Sequence, residues 1–150
     1  MSLSALPPMA RWLGYLGLLP FLALSAVVVL DPGAPLQAEA VGGLIAYGAA
    51  ILSFLGAVHW GLLLARPAES GDPAAYVAGV VPAAVAAVAL RLPAPYGLGV
   101  LVLGFGGFWL YEHRTGVRRL LPVGYLSMRR TLTLVVLACL VLALFRGAGA

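Results

Sequence analysis

The chain has 150 residues, 63% of them hydrophobic and only 9% charged, a balance that excludes a water-soluble globular domain. Nine basic residues, all arginine, outweigh five acids to give a net charge of +4. Because those arginines flank apolar runs, the charge points to anionic lipid headgroups and away from nucleic acid.

The first apolar run, 12–30, contains Pro20, which is expected to kink a helix as packing prolines do. Arg11 before it and the small-x-small triplet Ala38-Glu39-Ala40 after it imitate a secretory signal. The run is longer than a signal core and the triplet lies well beyond its end, so 12–30 reads as a retained first helix. The second run, 41–65, carries small residues at Ala49, Ser53, Ala57 and Gly61, spaced by four, with Gly48, Gly56 and His59 on a neighbouring face. Leu44, Tyr47, Ile51, Phe54, Leu55, Val58 and Leu62 fill the remaining arc. Helices in lipid associate through small residues, so this helix is expected to be the hub of the bundle, with its bulky arc facing lipid.

The third run, 75–91, repeats the pattern at Ala75, Gly79, Ala83 and Ala87 and is expected to pack on the hub. Pro93 and Pro95 mark a tight turn into the fourth, 95–111, whose glycines permit close approach. The segment 112–130 mixes arginines with apolar residues and is broken by Pro122 and Gly124, which places it in the headgroup layer. The fifth run, 131–146, rich in leucine and valine, is expected to be a peripheral, lipid-facing helix. Its single cysteine, Cys139, has no partner for an internal disulfide and is expected to pack as a small apolar residue.

A span of the ~30 Å hydrocarbon layer takes about 20 apolar residues as a helix, which leaves no unpaired backbone in lipid. The fold class is therefore all-α: a polytopic helical membrane protein with a five-helix transmembrane bundle and one domain over 1–150. Arg11, Arg66, Arg114, Arg118, Arg119, Arg129 and Arg130 fall on one side of such a bundle, and Arg91 and Arg146 on the other with Asp31 and Glu39. Basic loops stay cytoplasmic, which predicts an N-terminus inside and a C-terminus outside.

His59 is the one titratable group clearly within a span, and such groups are costly and functional by default. With Trp60, Glu112 and Arg129 it forms a candidate ligand site near the cytoplasmic boundary, where Glu112 is expected to pair with Arg129 or Arg11. A neutral imidazole donates one hydrogen bond and accepts another, which suits a quinone carbonyl, a lipid ester or a backbone carbonyl. The competing reading is an aromatic belt and a basic rim, since Trp, Tyr and Arg collect at this depth. Arg114, Arg118, Arg119 and Arg130 are candidate lipid-headgroup contacts. No catalytic constellation is visible. Glu112 and His113 point about 100° apart on a helix, so no metal site and no cofactor are expected.

The stretch Tyr47-Gly48-Ala49-Ala50-Ile51-Leu52-Ser53-Phe54-Leu55-Gly56-Ala57-Val58-His59-Trp60-Gly61 resembles the signature of the domain-of-unknown-function 3429 family. That family comprises bacterial inner-membrane proteins and the mitochondrial transmembrane protein 69 group. Tyr125 to Arg129 with Leu132-Thr133 resembles its second signature, although Gly124 stands where the family usually has tryptophan and Glu112 where it often has aspartate. The resemblance implies a five-helix membrane protein and brings no activity with it. Two functions are expected: first, a non-enzymatic accessory or assembly factor for a larger membrane complex; second, a lipid-, quinone- or solute-handling protein with a polar pocket. A pocket open to the cytoplasmic leaflet separates the second from the first, which should have a filled interior.

Overall fold

The computed structural model describes residues 6–30, 35–67 and 72–147, with the side chains of 116 and 117 excepted. Asp31 and the loop residues 68–71 lie outside them. Regular structure among the described residues is helical: α1 (Pro8–Leu16), α2 (Leu19–Leu30), α3 (Pro35–Ala65), α4 (Pro73–Arg91), α5 (Ala94–Arg114), a 3₁₀ turn (Gly116–Leu120) and α6 (Val123–Gly147). Counting α1 and α2 as one interrupted span, five helices are long and apolar enough to cross a membrane. The chain is a multi-pass membrane protein.

Pro20 does more than bend the first span. Its ring removes an N–H and crowds the carbonyl four residues back, and the helix is interrupted at Gly17-Leu18. The Leu18 N–H turns to the Tyr15 carbonyl instead, at 3.0 Å. Across the interruption, the Tyr47 hydroxyl of α3 donates to the Gly17 carbonyl at 3.0 Å. Tyr47 was expected to face lipid; its polar end is drawn inward by a carbonyl that the break leaves without its helical partner.

α3 is the hub, packed against α2, α4, α5 and α6. At about 1.5 Å per residue its 31 residues exceed the hydrocarbon thickness. It starts six residues earlier than expected, at Pro35, which suits a first helical turn. Gln37 in that added turn is buried, and its amide donates to the Val28 carbonyl at the end of α2, at 3.2 Å. The Ala38-Glu39-Ala40 triplet is helical as well.

Of the two small-residue faces of α3 expected to be enclosed, the one through Gly48, Gly56 and His59 is inward throughout, the other only at Ala49 and partly at Ser53. Leu44, Gly48, Leu52, Gly56, His59 and Leu63 are buried, whereas Ala57 and Gly61 are exposed and a Cβ on Gly61 would meet nothing. Leu44, assigned by sequence to the lipid arc, is completely buried. Glycines on this face receive large side chains from neighbours: Gly48 accommodates Leu101 of α5. The closest backbone approach is to α4, where a Cβ on Gly56 would stand 2.5 Å from the Gly79 carbonyl oxygen and 3.1 Å from Pro82. α4 is thus the partner expected, through Ala75, Gly79, Pro82, Ala86 and Ala89, while Ala83 and Ala87 face outward.

α6 corrects the sequence reading most. It begins at Val123, just after Pro122, and continues through Gly124, so 123–130 is helix rather than headgroup-layer loop. It is also not peripheral: Arg129, Thr133, Val136, Cys139, Leu140 and Ala143 form a continuous buried face against α2 and α5. Leu63, Ala75 and the 3₁₀ residue Leu120 pack together and collect one set of helix ends, and Gly147 meets Val41 at the other. The core of this second half is apolar, with Leu44, Leu98, Leu101, Leu140 and Ala143 nearly or fully enclosed.

Candidate functional site

Three spans bring ionisable groups into the interior at the arginine-rich end. His59 comes from α3, four residues before the buried Leu63 on the same face. Glu112 comes from the last turn of α5, one turn after Phe108, and both are buried. Arg129 comes from α6, one turn before Thr133, again both buried. Each pair is spaced by four residues, so each helix presents two neighbouring side chains to the same region. Fractional exposures of 2% for His59, 5% for Glu112 and 4% for Arg129 put all three inside the protein.

Glu112 is held by Arg129, one of the two arginines expected: Nε lies 3.3 Å from Oε2. Arg11 is exposed on α1 and takes no part. The Arg129 guanidinium also donates from Nη1 to the Thr133 hydroxyl at 2.9 Å. Its carbon lies 5.9 Å from the centre of the Phe108 ring, within range of a cation–π contact. Phe108 also meets the His59 ring edge-on at 5.5 Å, and Tyr111 closes the imidazole from another side at 5.8 Å. His59 Nδ1 is 3.9 Å from Glu112 Oε1, beyond hydrogen-bond range.

Hydrogen-bonding capacity is left over. Neither His59 nitrogen makes a hydrogen bond, although the Ala75 backbone is a polar neighbour of the ring. Arg129 Nη2 makes no aligned hydrogen bond, although the Tyr125 side chain lies close to the guanidinium, and Nε faces Glu112 without hydrogen-bond alignment. Guanidinium offers five N–H donors, and a buried donor left unmade costs ~1–3 kcal/mol or more when charged.

Beside the cluster runs a cleft of about 140 Å³ between the first span, α3, α5 and α6. Its walls are apolar, including Leu18, Phe21, Leu55, Phe105 and Val136, and only Arg129 and Thr133 contribute polar or charged side chains. Leu13 and Phe54, which also line it, are exposed on the flank of the bundle, so the cleft communicates with the lipid-facing surface. An apolar cavity of ~150 Å³ takes a benzene-sized guest, so this one has room for a ring or a short chain segment.

Of the expected ligand residues, His59, Glu112 and Arg129 meet, whereas Trp60 lies on the outside, 43% exposed and packed over Gly79. A tryptophan one residue after His59 is rotated away from the interior by the helix itself. Gly48 and Gly56, on the same face as the imidazole, are filled by Leu101 and α4; the ring lies against Gly79. Phe108 belongs to the cluster without having been singled out, and Thr133 joins it, having stood above only in the second family signature. Their spacing of four from Arg129 and Glu112 was the available signal. Tyr125, half-buried one turn before Arg129, lies within electrostatic reach of Arg129 and Glu112. Among the headgroup candidates, Arg118, Arg119 and Arg130 line one surface groove, which Arg114 does not join. Among the described residues no group of three His, Cys, Asp or Glu side chains is arranged to hold a metal.

A family model described as a protein of unknown function, DUF3429, matches residues 6–145, nearly the whole chain. No curated protein and no solved structure matches.

Proposed function

The chain belongs to the DUF3429 family, and we propose that it is a non-enzymatic inner-membrane protein that works by binding a neutral amphipathic molecule taken from the lipid layer. The observation that carries the reading is Arg129, a buried guanidinium that lines an apolar cleft reaching the bundle flank and whose Nε and Nη2 lie unpaired just behind the cleft surface. Apolar pockets with a few convergent polar groups are the usual form of a small-molecule site.

Charge balance selects the ligand class. Glu112 and Arg129 cancel, and a further anion would leave an uncompensated charge in a low-dielectric interior at a cost of several kcal/mol. A carbonyl oxygen accepts a guanidinium hydrogen bond without adding charge, as in a quinone or a lipid ester. Phe21, Leu55 and Phe105 suit its apolar part. No nucleophile lies beside a base in the cluster, which supports binding over catalysis.

The orientation belongs to the same proposal. With Arg129 buried, the remaining boundary arginines Arg11, Arg66, Arg114, Arg118, Arg119 and Arg130 still outweigh Arg91 and Arg146, so the cluster end is cytoplasmic. A reporter fused to the C-terminus should be active only in the periplasm.

The decisive experiment is purification in mild detergent with mass spectrometry of bound lipids and proteins. A neutral carbonyl-bearing lipid should accompany the wild type and be lost from Leu55→Trp, which fills the cleft at unchanged thermal stability. Retention of protein partners alone, equal in both forms, would replace this reading with that of an assembly factor for a larger membrane complex.

A further inference from the structure

A second site lies on the surface between the end of α5, the 3₁₀ turn and the start of α6. There Arg118, Arg119 and Arg130 converge with His113 and Ser127 around a groove of about 590 Å³. No carboxylate lines it. None can come from downstream either, since the sequence carries no aspartate or glutamate after Glu112. Glu112 itself, adjacent to His113, is turned inward to Arg129, so its charge is not available to the groove. Among the described residues, three guanidinium groups therefore share one concavity without a protein counter-ion in it.

The remaining surface tells what kind of anion fits. Leu121, Val123 and Leu126 form an apolar side to the same groove, and Val123 is 73% exposed. The groove stands at the boundary end of the bundle, level with the ends of two membrane spans. A free phosphate would satisfy the arginines and leave that apolar side bare, whereas a phospholipid covers both. His113 is held against the Trp109 ring at 4.9 Å, which fixes an imidazole as one polar wall, and the Ser127 hydroxyl supplies another donor. Arginine pairs phosphate oxygens through two parallel N–H bonds, and a single phosphate diester would neutralise only one of the three. The volume falls in the range of ligand pockets and exceeds what one phosphate fills.

We infer that this groove is a seat for an anionic phospholipid whose head carries two phosphates, separate from the neutral ligand of the cleft. The proposal stands on its own residues and survives if the cleft proves empty.

The test uses the full chain in nanodiscs of phosphatidylcholine, with lipid exchange followed by native mass spectrometry. A diphosphatidylglycerol lipid should be retained over phosphatidylglycerol, and both over phosphatidylcholine. R118Q and R130Q should each weaken that retention by about fivefold, the worth of one arginine at a charged membrane surface. R114Q, exposed but outside the groove, should change it by less than about twofold, as expected of a more distant, screened charge. Thermal stability in zwitterionic detergent, unchanged in all three variants, separates loss of the seat from loss of the fold. Equal retention of the two anionic lipids would overturn the two-phosphate assignment. Equal retention by R130Q, R118Q and wild type would overturn the site. Inorganic phosphate protecting the protein as well as the lipid does would overturn the lipid as its source.

Discussion

The two halves of the bundle interior are closed by the same device and left in different states. Around Leu44, Leu98, Leu101 and Leu140, glycines and alanines of one helix receive leucines of the next, and among the described residues no buried side-chain donor or acceptor is left unpaired there. At the opposite end α3 continues the same face, but Leu gives way to His59, and α5 and α6 answer with Glu112 and Arg129. That half encloses charge, spends only part of its donors, and borders an open cleft. A scaffold needs only the first kind of interior. The second is costly to build in lipid, and it is the end on which the proposed binding function rests.

The largest effect should come from breaking the charge balance of that end. Glu112→Leu leaves the Arg129 guanidinium buried without its counter-ion, a change that costs ~3–5 kcal/mol in buried pairs. Arg129→Met in the same chain should restore most of the lost stability while abolishing ligand retention. Thermal unfolding in detergent measures both. A single Glu112→Leu variant as stable as wild type would mean that the pair is not enclosed as described.

A smaller effect tests how the closed half and the polar half join. Gly56 touches the α4 backbone, so Gly56→Leu should overpack the crossing and cost about 1–3 kcal/mol. Ala57, its neighbour in sequence, is exposed, and Ala57→Leu should stay within about 0.5 kcal/mol. Equal destabilisation by the two would mean that both small-residue faces are enclosed.

That contrast also shows what the sequence made legible. Span number, helical class, the α3–α4 partnership and the central place of α3 follow from hydropathy and small-residue spacing. The rotation of α3 does not. Both stripes of small residues, one through Ala49 and Ala57 and one through Gly48 and Gly56, read as enclosed, and only the neighbouring helices decide which is packed along its length. Gly48 and Gly56 won because Leu101 and the Gly79-Pro82 backbone fill them. The α6 start was hidden by Pro122 and Gly124, which read as breakers although a proline just before the first turn is compatible with a helix. Once those residues are helical, Arg129 moves from a loop to the interior. Its pairing with Glu112 was open to sequence because both sit at one boundary; Thr133 and Phe108 needed the rotation of each helix to be known.

His59→Leu separates the two roles that sequence left open for this residue. The ring makes no hydrogen bond, so its loss should leave stability within about 1 kcal/mol of wild type, a volume-conserving exchange in a packed interior. Its 3.9 Å approach to Glu112 bears on how that carboxylate holds Arg129, so retention of the neutral ligand should fall. A large stability loss with retention intact would make the imidazole a packing element.

The smallest effect concerns the interrupted first span, which forms one wall of the cleft through Leu13, Gly17 and Leu18. Its break is bridged from α3 by the hydroxyl of Tyr47 on the Gly17 carbonyl. The Tyr47 ring is fixed separately, edge-on to Phe21 at 5.0 Å, so removing the hydroxyl alone should leave the aromatic packing in place. Interhelical hydrogen bonds in membranes average only ~0.6 kcal/mol, and Tyr47→Phe should lower thermal stability by an amount near that figure. The effect on binding should be larger than on stability. With the carbonyl released, α1 loses its link to the hub and keeps mainly its contact through Gly14 and Met128, at the opposite edge of the cleft. Ligand dissociation should then accelerate. A Tyr47→Phe protein that releases its ligand at the wild-type rate would show that the cleft wall is held by packing alone.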